Sequence, residues 1–180
     1  MKQILYGAAI VSAIAISGLA SAQYNPSPVE VHASGLTIRG GVVIPADNNL
    51  RDFSKTLLGV GGEYSFTHEF VQGAETYLSI DWFGKTASGG KGNIFPVCIN
   101  ERFYTGKSRY GKGGRAYFFV GVGTTFIDIT ASTNKVGARG GLGAEVGPNM
   151  VIEAAAYISG KDIAGVSGTA VAGYIGYRFR

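Results

Sequence analysis

Between Gly35 and Arg180 the chain alternates apolar and non-apolar residues with a period of two. The run Val136–Val146 shows the pattern most clearly, with Val, Ala, Gly and Leu on one side and Gly, Arg and Glu on the other. Alternation of this kind is typical of a β-strand whose two faces meet different surroundings. The second face carries ionic residues among glycines, which favours a barrel with lipid outside and a narrow, packed polar interior.

Eight segments show this pattern, and turn-rich sequences containing Gly, Pro, Asn or Asp separate them. An even number of strands lets the first strand pair with the last and leaves no open sheet edge. We therefore predict an all-β fold, an eight-stranded antiparallel up-and-down transmembrane β-barrel over residues 35–180, with no helix inside that range. The predicted strands are Leu36–Ile44, Lys55–Phe66, Ala74–Phe83, Asn93–Tyr104, Arg115–Asp128, Val136–Val146, Met150–Ser159 and Thr169–Phe179.

The first residues predict export. Lys2 precedes the mostly apolar run Ile4–Leu19, and a small-residue sequence ends at Ala22. This is the pattern of a cleavable secretory signal peptide, so we predict a signal peptide over residues 1–22. Residues 23–34, which contain two prolines, are predicted to be an extended lead-in to the barrel. No later segment approaches the ~18 consecutive apolar residues that a membrane helix requires.

The distribution of lysine fits a membrane wall. A lysine or arginine that faces lipid at the middle of the bilayer costs about 2–4 kcal/mol. The chain has 16 Lys and Arg against 12 Asp and Glu, an excess too small and too scattered to indicate nucleic-acid binding. Seven lysines follow the predicted signal peptide, and all are placed at strand ends or in connections: Lys55, Lys85, Lys91, Lys107, Lys112, Lys135 and Lys161.

Charged residues inside the predicted strands mostly share the non-apolar face. Four guanidinium groups and five carboxylates would therefore meet in one lumen, where the planar guanidinium fork is able to bridge two carboxylates. Glycines and tyrosines on the same face would leave room for them. We favour a structural plug that satisfies these polar groups, and the alternative is a gate or a proton or ion path. The predicted lumen charge network is Arg39, Glu63, Glu75, Asp81, Arg102, Arg139, Glu145, Glu153 and Arg178.

Aromatic residues gather near the strand ends, where rings with a polar edge favour the membrane interface. The fourth strand is the least regular, because Glu101 shares its lipid-facing parity and Pro96 interrupts the ladder. A bulge, or a position at the headgroup rim, would explain that strand. The predicted girdle residues are Tyr64, Phe66, Trp82, Phe83, Phe103, Tyr104, Tyr177 and Phe179.

The segment Gly173–Phe179 alternates aromatic residues and ends in Phe, and it resembles the closing strand of Gram-negative outer-membrane barrels. Alternating segments such as Gly59–Phe66 add to this likeness. Together they make the chain similar to the small OmpA/OmpX-type outer-membrane β-barrel family. The resemblance implies location in the outer membrane of a Gram-negative cell. It also implies that Tyr177 and Phe179 form the signal read by the barrel-assembly machinery, with periplasmic chaperones acting before it. Arg180 after the Phe departs from the family's pattern.

The same resemblance implies that both chain termini are periplasmic. Four connections would then face the outside of the cell, and each is short, which leaves little material for a large receptor-binding surface. The connection Thr105–Gly114, which carries Lys and Arg, would be an unusually long basic periplasmic turn. The predicted external connections are Pro45–Ser54, Gly84–Gly92, Thr130–Lys135 and Gly160–Gly168.

Catalytic chemistry is not predicted. The two histidines, His32 in the lead-in and His68 in a predicted periplasmic turn, lie away from the outer rim at which a lipid A-modifying enzyme would act. With Cys98 as the single cysteine, they make a poor set of metal ligands. We therefore expect no enzyme activity, no cofactor and no metal.

These observations support three hypotheses of function. The leading one is a non-enzymatic, monomeric outer-membrane barrel that contributes to envelope integrity or surface interaction and contacts outer-membrane lipids and lipopolysaccharide. The second is a narrow channel or transport protein for small or apolar solutes. The third is a secreted soluble ligand-binding barrel, which would bury Leu142, Val120 and Ile152 and turn Arg139 and Glu153 outward.

Overall fold

The computed structural model describes residues 35–85, 92–105, 115–129, 132–162 and 165–179. The predicted signal peptide, the lead-in with His32, most of the basic connection at Thr105–Gly114 and Arg180 lie outside these residues. Within them the chain forms one short helix, α1 at Asn48–Phe53, and eight strands. The strands are β1 at Leu36–Pro45, β2 at Leu57–Ser65, β3 at Glu75–Gly84, β4 at Asn93–Thr105, β5 at Ala116–Asp128, β6 at Ser132–Val146, β7 at Met150–Ser159 and β8 at Ala170–Arg178.

Each strand pairs antiparallel with its neighbours along the chain, and β1 closes the barrel against β8. The closing register places Arg39 opposite Gly176 and Gly41 opposite Tyr174. The predicted eight-stranded up-and-down barrel is confirmed, and most strand ends lie within two residues of their predicted positions. The exception is β6, which begins at Ser132 instead of Val136, so that Lys135 lies inside a strand.

The prediction that no helix follows the signal peptide is wrong. The carboxylate of Asp47 accepts a hydrogen bond from the Leu50 backbone N–H at 3.1 Å and caps the first turn of α1. The Ser54 N–H donates to the Leu50 carbonyl at 2.9 Å and ends the helix. In sequence this segment has the Asp and Asn residues of a turn, and six residues are too few to show a helical period. No helix among the described residues has the length and apolar character needed to cross a membrane.

The apolar face of the strands points outward. Val120, Ile152 and Leu142 are 55%, 47% and 38% exposed, whereas Arg139 and Glu153 are buried. A soluble ligand-binding barrel requires the opposite arrangement, so that hypothesis is wrong. The exterior is the apolar wall of a transmembrane barrel.

The two ends of the barrel differ. One end, the terminal rim, holds the start of β1, the end of β8 and the β2–β3, β4–β5 and β6–β7 connections. The turn between β6 and β7 is tight, because Gly147 adopts a φ of +73° that a side chain would disfavour. The other end, the cap rim, carries α1 and the remaining connections. There the Ala46 N–H donates to the Thr169 carbonyl at 2.9 Å and ties the β1–β2 connection to the β7–β8 connection.

Aromatic residues line the outside of the terminal rim. Tyr177 and Phe179 meet edge to face with ring centroids 4.9 Å apart, and Phe103 stacks on Phe118 at 4.8 Å. Trp82 lies on the outer wall near the cap rim, where its indole N–H donates to Asn93 Oδ1 at 2.9 Å. The girdle prediction is wrong for two residues that point into the lumen. Successive residues of a strand point to opposite faces, so a neighbour of an outward aromatic residue points inward. The two residues are Phe83, which is buried in the lumen, and Tyr104, which bonds to lumen carboxylates.

Candidate functional site

The lumen is the one region in which the described residues bring many charged side chains together. All nine residues of the predicted lumen charge network lie inside the barrel, and none is more than 9% exposed. They meet there because each occupies an inward position of its strand, so alternation alone carries them to the same space. Arg115, directly before β5, also lies inside and bonds to the network, although the sequence interpretation assigned it no role.

Arg39 is the centre of the network. Its guanidinium contacts three carboxylates from three other strands, those of Glu63, Asp81 and Glu153. Nη2 donates to the two oxygens of Asp81 at 2.8 and 2.9 Å, and Nη1 donates to Glu63 and to Glu153. One planar group therefore links β1 to β2, β3 and β7 across the lumen.

Two further arginines complete this central layer. Arg102 Nη2 donates to Glu63 Oε2 at 2.5 Å. Arg139 donates to Glu153 Oε1 at 2.7 Å and to Asp81 Oδ2 at 3.4 Å. Three guanidinium groups thus face three carboxylates, so the buried charges of the central layer balance. Such balance is required in the interior, because an unpaired buried charge is strongly destabilising.

A second layer lies nearer the terminal rim and is balanced in the same way. Arg178 Nη1 donates to Glu145 Oε1 at 2.9 Å, and Arg115 Nε donates to Glu145 Oε2 at 2.9 Å. Glu75 supplies the second carboxylate and links the two layers through Arg102 Nη1 at 3.2 Å. The network therefore extends from the middle of the lumen to the terminal rim without an excess of either charge.

Aromatic rings fill the space between the ions. The guanidinium carbon of Arg102 lies 4.1 Å from the centroid of the Tyr77 ring, and that of Arg39 lies 4.7 Å from the centroid of Tyr174. The Tyr117 ring occupies the space that a side chain at Gly143 would need. Inward glycines thus make room for the rings, and the rings shield the ion pairs from water.

The half of the lumen nearer the cap rim is apolar, which sequence reasoning missed. The prediction of a polar interior is therefore correct only toward the terminal rim. A sequence signal for this layer exists. Near the cap rim several strands lose their alternation and become continuously apolar, as in Val42-Val43-Ile44 and Phe126-Ile127. A strand reads this way when both of its faces are apolar. The buried side chains of this apolar layer are Val43, Leu57, Phe83, Ile94, Ile127, Ala170 and Ala172.

Helix α1 covers the apolar layer. Leu50 is only 1% exposed and belongs to the same cluster of buried apolar side chains, as does Val166 of the β7–β8 connection. Asn49 Nδ2 donates to the Gly165 carbonyl at 3.1 Å and joins the helix to that connection. Two packed layers therefore lie in series along the barrel axis, an apolar layer under the helix and an ionic layer below it.

The described residues assemble no catalytic arrangement around His68. Its side chain is exposed in the β2–β3 turn at the terminal rim, and Nδ1 lies 3.2 Å from Thr67 Oγ1. The lumen carboxylates are held by guanidinium groups and by tyrosine hydroxyls such as that of Tyr157, which donates to Asp81 Oδ2 at 2.9 Å. The carboxylates that the structure describes in the lumen are thus bonded to the protein's own side chains.

Comparison with solved structures finds small bacterial barrels. The crystal structure of Neisserial surface protein A is similar over 81% of this chain and 95% of its own length, with 7% sequence identity and a TM-score of 0.52. The attachment invasion locus protein Ail of Yersinia pestis, crystallised with the heparin analogue sucrose octasulfate, is similar over 82% of this chain and 100% of its own, with 20% identity and a TM-score of 0.51. Ail in a phospholipid bilayer nanodisc gives 17% identity over the same shares of the two chains and a TM-score of 0.50.

No protein-family model matches the chain, and no curated protein is significantly similar to it in sequence. At identities of 20% or less, the structural similarity establishes the fold alone. The closed eight-stranded barrel, its apolar outer wall and its ionic lumen define a transmembrane β-barrel. Its fold is that of the small outer-membrane barrels, as the closing strand Gly173–Phe179 indicates.

Proposed function

We propose that the protein is a non-enzymatic, monomeric outer-membrane barrel that does not conduct and that contributes to envelope integrity or to surface interaction. The observation that carries this proposal is the filled lumen. Five guanidinium groups and five carboxylates of the described residues balance inside it, and an apolar layer under α1 lies above them. An interior of eight strands is wide enough for little beyond side chains, and this packing supports a lumen closed to solutes.

Location in the outer membrane is supported by the apolar outer wall and by the fold that the chain shares with Neisserial surface protein A and Ail. The predicted signal peptide would direct export. Tyr177 and Phe179 are 46% and 47% exposed on the outer face at the end of β8. They remain available to be read by the barrel-assembly machinery, the role that the resemblance implies for them.

The cap rim carries the groups that we propose contact lipopolysaccharide. Two of its acidic residues are engaged locally, since Asp47 caps α1 and Asp162 Oδ1 accepts from the Val166 N–H at 2.7 Å. Phosphate groups of lipopolysaccharide would pair with the basic side chains of the same rim. The heparin analogue in the Ail structure is likewise an anionic sugar. The described basic residues at or beside the cap rim are Arg51, Lys55, Lys85, Lys135 and Lys161.

Planar-bilayer recording tests the closed lumen. We expect the purified protein to insert without a steady conductance. The variant Leu50→Asp would displace α1, since it places a carboxylate in the apolar layer, yet the ionic layer should keep the barrel closed.

A large, steady conductance from the wild-type protein would refute the proposal and favour the narrow channel instead. Conductance from Leu50→Asp alone would show that the apolar layer, and not the ionic layer, is the barrier. The conservative variant Leu50→Met keeps the apolar contact and serves as the control.

A further inference from the structure

Thr76 of β3 is an outward-facing residue that is fully buried. Its strand neighbours Glu75 and Tyr77 point into the lumen, so Thr76 belongs to the lipid-facing wall, yet its exposed fraction is 0%. A residue on an outer wall is hidden only when something lies over it. We infer that the covering element is the β2–β3 turn, residues 66–74, because its Phe70 N–H reaches the Thr76 side chain.

Two hydrogen bonds join the turn to Thr76: the first continues the β2–β3 ladder, and the second ties the middle of the turn to the outward side chain. The Phe66 N–H donates to the Thr76 carbonyl at 2.9 Å, and the Phe70 N–H donates to Thr76 Oγ1 at 3.0 Å. The Thr76 hydroxyl in turn donates to the carboxylate of Glu101, with Oγ1 2.9 and 3.1 Å from its two oxygens. The turn, the wall and the Glu101 carboxylate are thus connected through one hydroxyl group.

Glu101 is a carboxylate on the lipid-facing wall. It lies opposite Thr76 on β3 and Val120 on β5, between the outward residues Ile99 and Phe103 of its own strand. Among the described residues no Lys, Arg or His lies within ion-pair distance of it. Strand β4, which looked irregular in sequence, therefore pairs with β3 and β5 in one register without a bulge. Its Glu101 faces lipid near the terminal rim.

The turn also presents exposed apolar side chains. Phe70 is 71% exposed and Val71 is 44% exposed, and they follow the outer aromatic pair Tyr64 and Phe66, whose ring centroids are 5.7 Å apart. Exposed aromatic and aliphatic side chains beside such a girdle are arranged for burial among lipid headgroups and upper acyl chains. Glu69 places a carboxylate within the turn itself and accepts from the Gly73 N–H at 2.9 Å.

We propose that the β2–β3 turn is a lipid-binding site that seats the ammonium headgroup of a zwitterionic phospholipid against Glu101, with Phe70 and Val71 packed on its acyl chains. The chemistry of the site selects this ligand. No described cation pairs with these carboxylates, so they attract an ammonium group and repel an anionic phosphate, and the neighbouring apolar side chains favour an acyl tail. The inference rests on the transmembrane fold and not on the closed lumen, so its test is independent of conductance.

Native mass spectrometry of the purified protein, with phosphatidylethanolamine and phosphatidylglycerol of matched acyl chains, tests the headgroup. We expect the wild-type protein to retain phosphatidylethanolamine about three-fold more than phosphatidylglycerol, the scale of one exposed charge pair. Glu101→Gln should bring that ratio close to one. The matched control Asp128→Asn, an exposed carboxylate at the cap rim, should leave it unchanged. Equal retention by the wild-type protein, or an unchanged ratio in Glu101→Gln, would overturn the proposal.

The position of the turn is tested by a spin label at Val71→Cys in a Cys98→Ser background, in phosphatidylethanolamine-containing vesicles. We expect the label to collide with lipid-soluble oxygen more often than with a water-soluble nickel complex. A label at Asp52→Cys on exposed α1 should show the reverse order. Preferential collision of the Val71→Cys label with nickel would place the turn in water and exclude a lipid site, leaving it free for a soluble partner.

Discussion

At the residue scale, the central feature is that the lumen balances its charges locally. Arg39 contacts three carboxylates, and no single one of them is held by Arg39 alone: Glu63 also binds Arg102, and Asp81 and Glu153 also bind Arg139. The desolvation cost of burying these ions is offset only while the partners remain together. The network is consequently sensitive to the removal of one member and tolerant of changes that keep the balance.

Removal of the Arg39 charge is expected to be strongly destabilising. Arg39→Met leaves an uncompensated carboxylate in the lumen and should lower the free energy of unfolding by about 3–5 kcal/mol. Urea unfolding in lipid vesicles, followed by the gel mobility of unboiled samples, measures this change. Lys55→Met removes an exposed cation outside the strands and is the control with little expected effect.

A second variant separates charge balance from the loss of a side chain. Arg39→Met combined with Asp81→Asn restores neutrality, and an amide oxygen at position 81 would still accept from the Tyr157 hydroxyl. We expect the double variant to be more stable than Arg39→Met alone. If the two substitutions simply add, the charge-balance account of the lumen is wrong.

The sequence predicts which face of a strand a charged residue occupies, because the charged residues alternate with apolar ones. Alternation assigned Arg139 and Glu153 to one face without any knowledge of their partners. It failed for Phe83 and Tyr104, because an aromatic residue near a strand end fits either an outer girdle or an inner layer. The partners themselves, such as Glu63 for Arg39, depend on the stagger between strands, which the sequence does not contain.

At the element scale, the barrel depends on close approach between β1 and β8. A Cβ added at Gly41 would overlap the carbonyl oxygen of Gly173 and lie 2.9 Å from the Tyr174 ring. A Cβ added at Gly173 would meet no atom within 4 Å, although Gly173 lies on the adjoining strand opposite Val42. The two glycines therefore have different roles despite their proximity.

Gly41→Ala is expected to strain the closing pair of strands and to lower the free energy of unfolding by about 1–3 kcal/mol, as overpacking does. The matched substitution Gly173→Ala should change it little. Unfolding of both variants in vesicles measures the difference. Equal stability of the two variants would show that the closure between β1 and β8 yields to an added methyl group.

Strands were predictable because each repeats a period of two over nine or more residues, bounded by turn residues. Helix α1 was not, since six residues give no period and its cap residue Asp47 is equally a turn residue. The extension of β6 to Ser132 was missed because Ser132, Thr133 and Asn134 are polar residues typical of a loop. These residues pair with Asp128, Ile127 and Phe126 in a hairpin that extends the β5–β6 ladder.

At the scale of the whole molecule, the barrel is layered along its axis and across its wall. Along the axis, α1 covers an apolar layer that lies above two ionic layers. Across the wall, apolar side chains face outward and ions face inward, the inverse of a soluble protein. Sequence alternation predicted the arrangement across the wall, whereas the axial layering emerged only from the register of all eight strands.

The apolar face of the wall meets lipid, and Trp82, the single tryptophan of the chain, reports on that contact directly. Its ring lies on the outer wall, with the indole N–H bonded to Asn93. In bilayers whose acyl chains carry bromine near the carbonyl, we expect strong quenching of Trp82 fluorescence, with little quenching by iodide in the buffer. Fluorescence insensitive to brominated lipid but quenched by iodide would contradict the transmembrane account.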